Sequence, residues 1–155
     1  MADSIGQVTA LTTITQIIPE RVDTLKQVLA AVQQNPDASI AKILTIHYAR
    51  WVIIDNDTRL LFTSNFDGGF EDYLKDFVRE LPQGLDRIWG NCVGYPGTNP
   101  FEPFIAYVRE YSYFNNCFYA AYPDLTVKDV INGQKWRDAG RRLVQPAQQF
   151  LTETS

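Results

Sequence analysis

Hydrophobic and polar positions change period several times along this chain, and each change marks an element. Residues 5–18 are rich in Thr, Ile and Val and run up to Pro19, the pattern of a strand followed by a helix with proline in its first turn. Val22, Leu25, Val28, Leu29 and Val32 then recur at three- and four-residue spacing, with polar residues such as Asp23, Lys26 and Gln33 between them. That period predicts an amphipathic helix of about four turns, ended by Asn35-Pro36-Asp37. Ile40 to Ile54 reads as strand again, Asp55-Asn56-Asp57 as a turn, and Arg59 to Ser64 as the second arm of a hairpin. Asp67-Gly68-Gly69 stops that strand, and Phe70, Tyr73, Leu74, Phe77, Val78 and Leu81 mark one face of a second helix.

Pro82 to Gly84 interrupts this helix, and Leu85, Ile88, Trp89 and Cys92 continue as a shorter one closed by Gly94 to Gly97. A further helix is predicted from Glu102 or Pro103 to Tyr111. Asn116 to Tyr122 reads as a last strand stopped by Pro123, after which Thr126 can cap a final helix carrying Val127, Val130, Ile131, Trp136, Ala139 and Leu143. Gly133 and Gly140 each weaken that helix by about 1 kcal/mol relative to alanine, which predicts a break in it, and a polar tail follows from Gln145.

Strand, helix, strand, strand, helix, strand is the split βαβ order. The expected fold is therefore α+β, ferredoxin-like, with a four-stranded antiparallel sheet, both helices on one face and extra C-terminal helices. The bare face must be covered, and two such sheets meeting face to face would give a homodimeric barrel. No repeat or linker divides the chain, so residues 1–155 are expected to form one domain: a core over 5–122, a helical extension over 123–147 and a polar tail over 148–155.

Composition narrows the function. Aromatic residues reach 13%, enough to furnish an aromatic core and also to line a pocket or a subunit contact. A formal net charge of -4 leaves no field to attract a phosphate backbone, which argues against nucleic acid. The basic cluster Lys135, Arg137, Arg141 and Arg142 reads as the solvated face of the last helix. Cys92 and Cys117 form no CxxC pair, so buried free thiols are expected rather than a zinc site. No run approaches the roughly 20 apolar residues of a membrane span and no secretory leader is evident, so the default is a cytoplasmic protein.

Candidate chemistry centres on Ile46 to Phe77, which holds the only histidine. Regular alternation would put Thr45, His47, Ala49, Trp51 and Ile53 on one face of the strand and Ile46, Tyr48, Arg50, Val52 and Ile54 on the other. His47 then lies either in a cavity beside Trp51 or beneath the helices as a hydrogen-bonded core residue. Imidazole is the side chain whose ordinary titration falls near neutrality, so in a cavity it would serve as a base or an axial ligand. Asp67 is either a second catalytic group or the cap of the helix beginning near Phe70. Arg50, Trp51, Asn65 and Tyr119 are the candidate ligand-binding residues.

The element order over residues 5–122, with the Phe62 to Gly68 turn FTSNFDG, resembles the dimeric α+β barrel superfamily, which includes antibiotic-biosynthesis monooxygenases, chlorite dismutases and dye-decolourising peroxidases. Ser64-Asn65-Phe66-Asp67-Gly68 is similar, in its Asp-Gly half, to the Gly-x-x-Asp-Gly motif that supplies a distal aspartate in the peroxidases. Ser64 stands where that motif has glycine, and the chain has no histidine after the motif to ligate haem as those enzymes do. The resemblance implies binding of a small apolar or aromatic molecule, with oxidation or isomerisation of it. Haem with His47 as axial ligand is a further possibility, and a non-catalytic partner domain of an oxidative enzyme or assembly is the alternative from another class.

Overall fold

Alternation along the second strand shows how the fold is laid down: Thr9, Leu11, Thr13 and Thr15 are all buried on one side. The computed structural model describes residues 3–35 and 40–152, and for Asp3 and 143–152 the backbone alone. Its sheet comprises β1 (Asp3–Ile5), β2 (Val8–Gln16), β3 (Ile46–Ile54) and β4 (Arg59–Asp67), in the spatial order β1-β2-β4-β3 with every pairing antiparallel. The helices are α1 (Val22–Gln34), α2 (Phe70–Glu80), α3 (Pro82–Trp89), α4 (Phe101–Glu110) and α5 (Val127–Thr152). α1 closes at Asn35, whose N–H reaches Ala31 O at 3.3 Å; Pro36 and Asp37, the rest of the predicted breaker, lie outside the described residues. Asp55, Asn56 and Asp57 turn β3 into β4 at φ of 54°, 54° and 67°, a left-handed run that Asn and Asp tolerate better than other side chains.

The strand register assembles the core. Thr13 of β2 lies opposite Phe62 of β4, which lies opposite Trp51 of β3, while Leu11, Ser64 and Ala49 form the next row. Helices α1 to α4 all close on this one face, through Leu25, Tyr73, Phe77, Leu85, Trp89 and Phe104 among others. Phe66 and Tyr73 stack with centroids 3.6 Å apart, and the Tyr73 hydroxyl donates to Ser64 Oγ at 2.6 Å. Burial pushes the Tyr73 phenol well above its ordinary value, so it stays a neutral donor. Each large side chain taken out of water here contributes about 1.5–3 kcal/mol.

Three departures from the sequence reading matter for the site. The strand predicted over residues 5–18 is β2, Val8–Gln16, but a further strand precedes it: Gly6 turns at φ 59° and β1 folds back onto the first three residues of β2. Consequently, Asn116 to Tyr122 form no strand, because β1 holds the edge position beside Val8–Ala10 that a fourth strand would need. Tyr113 N–H still bonds Thr12 O at 2.9 Å, and the chain then leaves the edge and returns where Pro123 O accepts from Gln7 N–H at 2.7 Å. Ile40 to Lys42 is a short 3-10 turn, so the second predicted strand begins only at Ile46. Finally, α5 runs unbroken through Gly133 and Gly140 and its backbone stays helical to Thr152; residues 153–155 lie outside the described residues. None of the described helices is long and apolar enough to cross a membrane.

Candidate functional site

A single extra residue in β3 creates the site. Ile46 lies opposite Phe66 and Tyr48 opposite Asn65, so His47 has no partner of its own and forms a β-bulge. The bulge shifts the phase of alternation: Ile46, Ala49, Trp51 and Ile53 pack against the core together. His47 therefore does not share a face with Ala49 and Trp51, as regular alternation predicted. It reaches instead the outer face of the sheet, where Nε2 meets Asp67 Oδ1 at 2.6 Å.

Asp67 ends β4 on that outer face. Its second oxygen, Oδ2, accepts the N–H of Val127, the first residue of α5, at 2.8 Å. The expected cap on the helix at Phe70 is thus corrected, since α2 begins at Phe70 behind Gly69 with no side-chain cap and Asp67 serves α5 instead. The rest of that helix start is self-contained. Thr126 Oγ1 accepts from Asp129 N–H at 3.2 Å and Asp129 Oδ2 accepts from Thr126 N–H at 3.0 Å, a reciprocal capping box. Hydrogen bonds from Thr126 hold the Asp129 carboxyl below its ordinary value.

Between the outer face, the 119–122 segment and the first turns of α5 lies an open cavity of about 700 Å³. His47, Asn65 and Tyr119, all singled out from sequence, are on its wall, together with Tyr48, Tyr122 and the aliphatic Val8, Ile46, Leu125, Val130 and Ile131. A second hollow of about 400 Å³, lined by Ile43, Leu44 and Ala49, shares His47, Tyr48 and Ile131 with the first. The imidazole stands in the wall common to both. Arg50 and Trp51 are not brought in. Arg50 is exposed farther along β3, opposite Thr63. Trp51 is on the opposite side of the sheet, 4.9 Å from Phe62 and 6.3 Å from Trp89, and its indole N–H has no partner among the described residues.

This geometry defines what His47 can do. In the tautomer whose Nε2–H donates to the Asp67 carboxylate, the ring orientation is fixed and Nδ1 is the acceptor nitrogen, with no partner among the described residues. Asn65 offers a primary amide on the same wall, able to donate to a carbonyl or phenolic oxygen. The residues do not fit a haem in this arrangement: the nitrogen that would ligate iron is committed to Asp67, and both oxygens of the candidate distal aspartate are engaged. Among the described residues no group of three or more His, Cys, Asp or Glu is placed to hold a metal. Cys92 is buried, with Thr15 Oγ1 donating to its Sγ at 3.3 Å and burial raising its thiol, whereas Cys117 is exposed, contrary to the expected burial of both.

The wall contributed by α5 was not foreseen in the sequence. Its signal was present, since Val127, Val130 and Ile131 fall at i, i+3 and i+4 behind a Thr-x-x-Asp box, but periodicity alone does not say which face of a sheet a helix returns to. No protein-family model, no curated protein and no solved structure matches this chain, so the reading of the site rests on its own geometry.

Proposed function

We propose that the protein binds a small apolar or aromatic molecule in the outer-face cavity and that His47, held by Asp67, takes an acidic proton from it. The reading places this chemistry on a ferredoxin-like core acting as a cytoplasmic homodimer. The observation that carries it is the 2.6 Å His47–Asp67 pair set in the wall of an otherwise largely apolar and aromatic cavity. In the step, a C–H or O–H bond next to a carbonyl or on an aromatic ring breaks, its proton moves to Nδ1, and the Asn65 amide donates to the resulting oxyanion. Return of the proton at another carbon is isomerisation. Capture of the carbanion by dioxygen as the oxidant is oxygenation without a cofactor.

The test uses β-tetralone, an aromatic ketone with acidic α-hydrogens. The wild-type protein in deuterium oxide is expected to speed exchange of those hydrogens, followed by proton NMR, and His47→Ala is expected to abolish the acceleration while Asn65→Ala reduces it. Exchange no faster than in buffer, or unchanged in His47→Ala, overturns the base role. The alternative of a non-catalytic partner domain draws on a specific observation too, the exposure of Tyr48, Phe114, Tyr119, Tyr122 and Trp136. It predicts no acceleration of β-tetralone exchange in the same preparation.

A further inference from the structure

We infer that the cavity is completed by a second copy of this chain, whose α5 lays Trp136 across the open side; this rests on the cavity reading above. Three independent observations lead there. First, the cavity is large but unroofed: Tyr48 and Tyr119 on its wall are 77% and 82% exposed, so a bound aromatic molecule would keep one face in water. Second, α5 leaves that wall with apolar side chains that its own chain does not cover. Val130 and Ile131 are each 42% exposed and Trp136 is 80% exposed. A helix that begins at a capped N-terminus tied to the sheet by Asp67 and then carries a bare indole has a face made for another surface.

Third, charge selects the occupant. α5 carries the basic Lys128, Lys135, Arg137, Arg141 and Arg142 against the acidic Asp129 and Asp138, a net of +3, and since the whole chain is -4 the remainder is -7. Each arm is basic and the body beneath the other arm is acidic, and where the two arms themselves cross, Lys128 and Arg137 of one copy can meet Asp138 and Asp129 of the other. The local pairing is equally specific. Lys135 and Arg137 flank Trp136, and the exposed Asp129 stands on the cavity wall.

Symmetry then fixes the register. Closed dimers repeat the same patch on both subunits, so two α5 helices meet antiparallel about a two-fold axis. Asp129, Gly133, Trp136 and Gly140 share one stripe at four- and three-residue steps. A crossing centred on Gly133, where an added Cβ would meet nothing in its own chain, sets Trp136 of one copy opposite Val130 of the other, at the lip of the cavity. Each site then takes its base from one subunit and its indole cover from the other.

Sedimentation velocity on the full chain, paired with iodide quenching of tryptophan fluorescence, tests this without any ligand. Trp51 and Trp89 are packed in the core, so Trp136 dominates the quenchable emission. The wild type is expected to sediment as a dimer with emission largely shielded from iodide, and shielding is expected to fall as the dimer dissociates on dilution. Trp136→Ala and the double variant Lys135→Glu with Arg137→Glu are expected to sediment as monomers with unchanged circular dichroism. A monomer at every concentration, or a dimer whose Trp136 is quenched as freely as a surface indole, overturns the inference. These readouts do not depend on β-tetralone exchange, so a failed base role leaves them interpretable, and a failed dimer leaves His47 exchange to be judged by itself.

Discussion

The two faces of one sheet contrast more sharply than any two elements of the molecule. On the core side, helices α1 to α4 close over Leu11, Phe62 and Phe66 and leave a void of only about 30 Å³, room for little beyond a water. On the outer side, the same strands present Val8, Tyr48 and Asn65 to a cavity more than an order of magnitude larger, about 700 Å³. Strand alternation thus lets one set of backbones carry stability on one surface and chemistry on the other. The bulge at His47 is the device that moves a histidine from the first set to the second.

Neighbouring residues of β4 break or confirm that division most directly. Phe66 is fully buried against Tyr73, and Asn65, one position earlier, is on the cavity wall. Phe66→Ala is expected to cost about 3–5 kcal/mol in urea unfolding, through lost burial plus the cavity left under Tyr73. Asn65→Ala is expected to stay within about 0.5 kcal/mol of wild type. Equal losses from the two would show that the outer face is as structural as the core.

Asp67 joins the faces to the arm, and the effect of removing it is smaller and local. Asp67→Ala leaves the Val127 N–H and the His47 ring N–H without their acceptor, at a cost of about 1–3 kcal/mol. Amide exchange is expected to quicken over Val127 to Val130, while the amides of β2 and β4 keep their protection apart from those paired at Asp67. Asp67→Asn retains an acceptor for only one of the two partners and is expected to fall between. Uniform loss of protection across the sheet would instead place Asp67 in the global folding unit.

Much of this layout was legible in the residues, and where it was not the cause is physical. The helices that bury a stripe announced themselves: Tyr73, Leu74 and Phe77 of α2 and Leu25 of α1 are buried where the three- and four-residue spacing put them. His47, Asp67, Asn65 and Tyr119 were singled out by residue type, and three of them line one cavity with the fourth bonded to His47. The sequence left the face of His47 open and grouped it with Ala49 and Trp51, which fails because a bulge has no side-chain signature in Thr45-Ile46-His47-Tyr48 and reverses the phase of everything before it. Asn116 to Tyr122 carries a strand composition, yet a hairpin made by Gly6 already fills the edge it would pair with. Competition between segments for one edge is a tertiary fact and leaves no mark on either segment.

The smallest effect is expected at the start of α5, and acid is the tool for reading it. Asp129 has its carboxyl depressed by the hydrogen bonds from Thr126, so the folded helix binds that proton less readily than the unfolded chain does. Its contribution is fully present above the ordinary carboxyl value of 3.8 and is lost as pH falls below that, through the depressed folded value. Thr126→Ala removes the hydroxyl that donates to Asp129 Oδ2 and accepts from Asp129 N–H, and keeps the backbone N–H that donates to the same carboxylate. It is expected to cost about 1 kcal/mol of α5 stability at neutral pH and to reduce the Asp129 part of the acid dependence of amide exchange over Lys128 to Val130. Asp67 holds Val127 in both proteins, so the comparison isolates the box from the carboxylate that binds His47. If Thr126→Ala left that acid response intact, the pH sensitivity of the arm would lie outside the capping box.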